Sequence, residues 1–134
     1  MTNQMQEALK TFKERVFNDY SNFYFRMSKK MLETNPTYKS TVESRIQEFK
    51  DKFKMKETRY YFKFISDNGV HSFIVKEDTI IRNKQWKKGD LLKPADYRTP
   101  ALNKPRGNIL EEYIVQWTGP LYLKGPKGFT FNKL

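Results

Sequence analysis

"TRYYFKFISDNGVHSFIVK", residues 58–76, is the stretch whose reading decides the fold. On both sides of Asp67-Asn68-Gly69 the chain is aromatic and β-branched with a period of two, which is the pattern of strands and not of a helix. Asn68-Gly69 is the pair that suits a two-residue type I′ turn, because both central positions of that turn need φ > 0. The stretch is therefore predicted to be a β-hairpin, 58–66 against 70–76. Further short strands are predicted in "EEYIVQWT" (111–118), "PLYLK" (120–124) and "GFTFN" (128–132), separated by Gly119-Pro120 and Gly125-Pro126.

Upstream of the hairpin the period is helical. Met5, Leu9, Phe12, Val16, Tyr20, Phe23, Met27 and Met31 recur at steps of three and four, which places them on one face of a helix predicted over 4–33. Phe17, Tyr24 and Leu32 widen that stripe. A straight helix of this length would run roughly 45 Å, so it either kinks or reaches a second copy of the chain. "TNPTYKS" (34–40) interrupts it. A second helix is predicted to start with Asn35 as N-cap and Pro36 as first residue, or by Ser40 with Glu43 in a capping box. Val42, Ile46, Phe49 and Phe53 then repeat the helical spacing to about residue 55. The predicted fold class is α+β: one domain over 1–134, with a helical hairpin (4–55) packed on a mostly antiparallel sheet of about four to six strands in a β-rich part (58–134).

Composition sets the classes of partner. The 134 residues suffice for a single core, and 16% aromatic content argues for a folded chain in spite of 31% charged residues. The absence of cysteine excludes disulfides and thiolate metal sites and favours a reducing cytoplasm. The first residues lack a basic region followed by an apolar run, and no stretch approaches the ~20 apolar residues of a membrane span. A net charge of +11 favours anionic partners, namely nucleic acid, an acidic protein, anionic lipid or a phosphorylated ligand.

That charge is unevenly placed. Residues 57–134 hold fourteen Lys/Arg and eight Asp/Glu, and residues 82–106 alone hold eight against two, so this one segment carries the whole excess of the β-rich part. It lies in a region predicted as a long basic loop, 82–108, stiffened by Pro94, Pro100 and Pro105. Lysines of a single-strand groove follow phosphates, while flat groups stack on bases. The candidate nucleic-acid-binding residues are accordingly Arg82, Lys84, Trp86, Lys87, Lys88, Lys93, Tyr97, Arg98, Lys104 and Arg106. A structural alternative has Trp86 and Tyr97 partly in the core, with Asp90 and Asp96 pairing with neighbouring basic residues to hold the loop shut. Lys29, Lys30, Lys50, Lys52, Lys54 and Lys56 are read as a solvated helical face.

"VHSFIVK", "KGDLLKPADYRTPALNKPRGNI" and "IVQWTGPLYL" together resemble a pattern in small bacteriophage-encoded accessory proteins of unassigned role. The resemblance covers about the last half of the chain. It implies an infected bacterial cytoplasm and a non-catalytic takeover, replication-support or counter-defence role, and implies no particular chemistry.

Catalytic constellations are not evident. His71 is the only histidine, and a packing or hydrogen-bonding role suits it better than general-base work. With neither cysteine nor a second histidine, no transition-metal site or cofactor is expected. Glu111 and Glu112, adjacent in a strand, would point to opposite faces, and Asp90 and Asp96 would need further oxygen ligands to hold Mg²⁺. "KGPKG" (124–128) offers amides and lysines to a phosphate but is chiefly turn chemistry. The expected function is binding of nucleic acid, single-stranded or structured. The alternatives are docking of the basic face on an acidic host or phage protein, and a pocket for a small phosphorylated signal. If Phe12, Phe23, Tyr24 and Met27 stay exposed on the long helix, two copies would pair through it as a homodimer. The competing arrangement is that the sheet covers that stripe.

Overall fold

The computed structural model of the protein describes residues 3–67 and 69–121. The predicted hairpin forms its centre: β2 (Tyr61–Ser66) pairs antiparallel with β3 (Gly69–Val75). Ser66 faces Gly69, so the connection falls at positions 67–68, one residue earlier than the Asn68-Gly69 expectation. Asn68 itself lies outside the described residues, and Gly69, at φ +116°, opens the strand. The register slips once: Phe64 faces Ser72 while Ile65 faces Val70, leaving His71 as the extra residue of a β-bulge.

On the outer side of β2 runs β1 (Lys54–Glu57), and beyond β3 lies β6 (Leu91–Leu92), giving an antiparallel sheet of order β1-β2-β3-β6. Strand β1 corrects the expectation that the second helix continues to residue 55. All four of its residues are exposed, so it shows no apolar alternation, and its lysines suit an unpaired edge. The α+β class holds, with helices against a mostly antiparallel sheet.

The predicted long helix is broken near its end. α1 (Asn3–Met27) and α2 (Lys29–Thr34) meet at Ser28, and helical bonds run across the break from Ser28 N–H to Tyr24 O and from Leu32 N–H to Ser28 O. α3 (Tyr38–Lys52) starts between the two predicted points. The capping box does not form: Ser40 donates its hydroxyl to Thr37 O from inside the helix.

The two faces of the sheet have separate cores. On one, Phe62, Phe64 and Ile74 meet Met5, Leu9, Phe12 and Val16 of α1 and Phe49 and Phe53 at the end of α3. Phe12 has no exposed surface, which corrects the expectation that it belongs to an open patch. Phe23, further along the stripe, packs on Trp117 at a centroid distance of 5.0 Å. Most of the helical stripe is thus covered within the chain, and Met27 and Met31 are the large apolar residues of α1 and α2 left exposed. Of the four residues that motivated the predicted homodimer, Phe12 is fully buried, Phe23 and Tyr24 are half-buried and Met27 is exposed.

A second two-stranded unit, β7 (Ile114–Gln116) with β8 (Gly119–Leu121), packs against α1. It corresponds to the predicted "EEYIVQWT" strand and the start of "PLYLK". The remainder of that strand, "GFTFN" and "KGPKG" lie outside the described residues. His71 ties this unit to the sheet. Its Nε2 lies 2.9 Å from Gln116 O, and since a carbonyl only accepts, Nε2 carries the proton. Nδ1 then accepts from the Ser72 hydroxyl at 2.9 Å. The bulge turns this imidazole toward Phe12 and Phe53, whose rings it meets edge-on. Burial holds its pKa down at about 4, against a weaker upward pull from the Gln116 carbonyl.

On the opposite face, Tyr61, Phe73, Val75, Trp86 and Leu92 form the second core, with Ile81 and Leu102 packed against it. This face is covered by the hairpin β4 (Thr79–Ile81) and β5 (Lys84–Trp86) together with the chain that follows. The predicted loop 82–108 is therefore largely built structure, containing β5, β6 and bridges Asp90↔Asn108 and Pro94↔Pro100.

Candidate nucleic-acid interface

The basic segment begins at the tip of the β4–β5 hairpin. Ile81 faces Lys84, so Arg82 and Asn83 are the two loop residues, and both have positive φ, 53° and 64°. This is the backbone of a type I′ turn, found here and without glycine. An arginine in the left-handed region is uncommon and costs about 1 kcal/mol relative to residues that tolerate it. The tip thus presents an exposed guanidinium on a strained position. Replacing it, Arg82→Asn, is expected to raise stability by about 0.5 kcal/mol, seen as a higher urea midpoint with unchanged slope. An unchanged or lower midpoint would count against a strained tip.

Trp86 corrects one expectation. It is 1% exposed, packed beneath the hairpin with the Lys84 ammonium 4.9 Å from its ring centre, and cannot stack on a base. Lys84 also donates to the Asn103 carbonyl, tying the hairpin to the chain near Lys104. Lys87 pairs with Glu111 at 3.0 Å, which holds its pKa up. Lys88 is anchored through its backbone N–H, which donates to Asp78 Oδ1.

The two aspartates stabilise the segment by accepting from backbone amides, the Asn108 amide and the Thr99 hydroxyl, and neither forms an ion pair among the described residues. Asp90 is buried and accepts from Lys87 N–H at 2.8 Å and from Asn108 Nδ2 at 3.1 Å. Gly107, at φ +122°, makes the corner before Asn108, where a Cβ would lie 2.7 Å from Glu112 O. Asp96 accepts from Arg98 N–H, Thr99 N–H and the Thr99 hydroxyl, and these bonds hold its carboxyl below the usual range. The Asp96 cap closes a small turn whose base is the Pro94↔Pro100 bridge. Tyr97 and Arg98 stand at its tip.

This turn lies over a lysine that the sequence reading passed by. Lys63, in the middle of β2, points to the second face and is 5% exposed. Its ammonium sits 3.7 Å from the centre of the Tyr97 ring, while that ring remains 58% exposed. Lys56 of β1 is its direct cross-strand partner. Burial is the main cause of a lowered Lys63 pKa, and the positive charges of Lys56 and Arg98 add to it, with Asp96 opposing. Lys54 and Lys56, read from the sequence as a helical face, belong instead to this edge of the sheet. Lys93 lies elsewhere, beside His71, Thr118 and Pro120.

Among the described residues, Arg82, Lys84, Lys88, Lys93, Arg98 and Lys104 form no ion pair with a carboxylate. Arg106 is half-buried near the same segment, with its N–H donating to Leu91 O. No helix among the described residues is long and apolar enough to cross a membrane, and no group of three or more His, Asp or Glu side chains is gathered as metal ligands. Comparison of the chain with protein-family models, with curated proteins and with solved structures gives no match.

Proposed function

We propose that the protein is a non-catalytic accessory protein that binds nucleic acid, preferring single strands, through the face built by residues 82–106. One observation carries this reading. The segment with the largest positive excess is fixed in place by strands, bridges and aspartate caps, yet among the described residues six of its cations form no ion pair with a carboxylate. A protein that needed the segment only for its fold would gain by neutralising them. Tyr97 adds an exposed aromatic surface beside the charges, which suits an unstacked base better than the closed edge of a duplex.

The test is fluorescence anisotropy with labelled single- and double-stranded oligonucleotides. Single strands are expected to bind more tightly, and about four phosphate contacts would weaken binding about 50-fold between 50 and 200 mM salt. Tyr97→Ala is expected to lose about tenfold in affinity for single strands through lost stacking. Absence of any binding tighter than ~10⁻⁴ M at low salt would overturn the proposal.

A further inference from the structure

We infer that Lys63, whose ammonium lies against the ring of Tyr97, forms a discrete binding site for a phosphate group together with its cross-strand partner Lys56 and with Arg98 of the covering turn. This deepens the nucleic-acid reading and rests on it for the source of the phosphate, whereas the site itself is argued from its own geometry. Lys63 is the central element. A lysine 5% exposed in the middle of a sheet normally has a carboxylate partner, because an unpaired buried ammonium is costly. Among the described residues Lys63 forms no ion pair, and its ammonium lies 5.8 Å from the centre of the Phe73 ring and 3.7 Å from that of Tyr97.

The surroundings make the charge problem worse. Lys56 is directly opposite on β1, an arrangement of like charges that destabilises a strand pair. Arg98 adds a third cation, and the lowered Lys63 pKa reflects both neighbours as well as burial. The nearby acid, Asp96, is engaged by Arg98 N–H, Thr99 N–H and the Thr99 hydroxyl, and makes no ion pair with Lys63 or Arg98. Three cations beside one engaged carboxylate leave a local excess of about two positive charges, which a phosphate oxyanion would neutralise.

The geometry also selects among anions. Two ammonium groups and a planar guanidinium offer more donors than a carboxylate can accept, and an arginine fork with lysine point charges is a common phosphate cradle. The Tyr97 ring lies against the Lys63 ammonium and keeps more than half its surface open, so a base attached to that phosphate would find a stacking surface next to it.

The test measures melting of the wild-type chain in about 20 mM inorganic phosphate and in chloride of equal ionic strength. A rise of about 6 °C in phosphate is expected for a site of roughly millimolar affinity. Lys63→Met keeps most of the buried stem and removes the charge; it should fold, and its phosphate-dependent rise should fall below about 1 °C. Arg98→Gln, on the exposed turn and away from both cores, should reduce the rise by at least half. General salting effects of phosphate would survive in both variants. Equal melting of the wild type in the two salts, or a full rise retained in both variants, would overturn the site.

Oligonucleotide binding by the same preparations separates this idea from the broader one. Undiminished oligonucleotide binding by both variants, with no phosphate effect in the wild type, rejects the site and leaves the nucleic-acid reading intact. A phosphate rise lost in both variants, without oligonucleotide binding by the wild type, supports the site and rejects that reading. Comparing 5′-phosphorylated with 5′-hydroxyl strands identifies the source. A preference of about fivefold or more assigns the site to a terminal phosphate, and equal binding assigns it to the strand backbone.

Discussion

Phe12→Ala is expected to cost about 3–5 kcal/mol, a large part of the 5–15 kcal/mol that holds a typical domain folded. Phe12 has no exposed surface and stands where three parts of the fold meet. Its ring lies 5.1 Å from Phe64 of β2, 5.8 Å from Tyr113 before β7 and 5.9 Å from the His71 ring, centre to centre. Truncation would remove the transfer energy of the ring and leave a cavity bounded by a helix and a sheet that cannot easily close on it. A fall of about 10–20 °C in melting temperature follows for a chain of this size. Met27→Ala, on the same helix at 70% exposure, should change stability by less than about 0.5 kcal/mol. Thermal unfolding of the two variants checks both statements. Comparable losses from both would mean that the exposed end of α1 is buried in solution, and that the helix stripe has a partner beyond its own sheet.

The parts of this architecture legible in the sequence are those fixed by local pattern. The hairpin 58–76 announces itself because two β-branched, aromatic runs flank a turn tripeptide. The long helix does so because its apolar spacing persists over many turns. What the pattern could not reveal are features set by distant parts of the chain. The bulged His71 donates a hydrogen bond from Nε2 to the carbonyl of Gln116, 45 positions away. The β4–β5 hairpin was hidden because its turn uses Arg82-Asn83 in place of a glycine pair. Strand β1 was hidden because an edge with four exposed residues leaves no apolar alternation to read.

The candidate site divides along the same line. Its exposed members, Arg98 and Tyr97, could be named from charge and aromatic interleaving alone, but Trp86 could not be sorted from them until its burial was known. Lys63 went unnoticed because a lysine between Phe62 and Phe64 reads as the solvent-facing step of a strand. Such a step faces solvent only if one side of the sheet is open. Here the 82–106 segment covers that side, and the solvent-facing step becomes a nearly buried lysine side chain.

A pH titration of stability should carry the mark of His71. The imidazole is buried and neutral in the folded protein, with its pKa held down at about 4 from an ordinary 6.5. Unfolding therefore takes up a proton at any pH between these values, so the folded state loses stability as pH falls through 6.5 and continues to lose it until about 4. Above pH 6.5 the contribution is complete, because the ring is then neutral in both states. Between pH 7 and pH 4.5 the loss from this one group is about 2.5 kcal/mol. Carboxylates such as Asp96, whose pKa is also held low, contribute in the lower part of that range, so the comparison must be made against a variant. His71→Asn keeps a donor for Gln116 O but has no group that titrates here. It is expected to be less stable than the wild type at pH 7, since it leaves the pocket between Phe12 and Phe53 partly empty. Its loss of stability from pH 7 to pH 4.5 should be smaller by about 2 kcal/mol, so the two curves converge as the solution is acidified. Urea unfolding at several pH values measures both curves. Parallel curves would mean that the imidazole takes up its proton without penalty in the folded state, and that the bulge leaves it open to water.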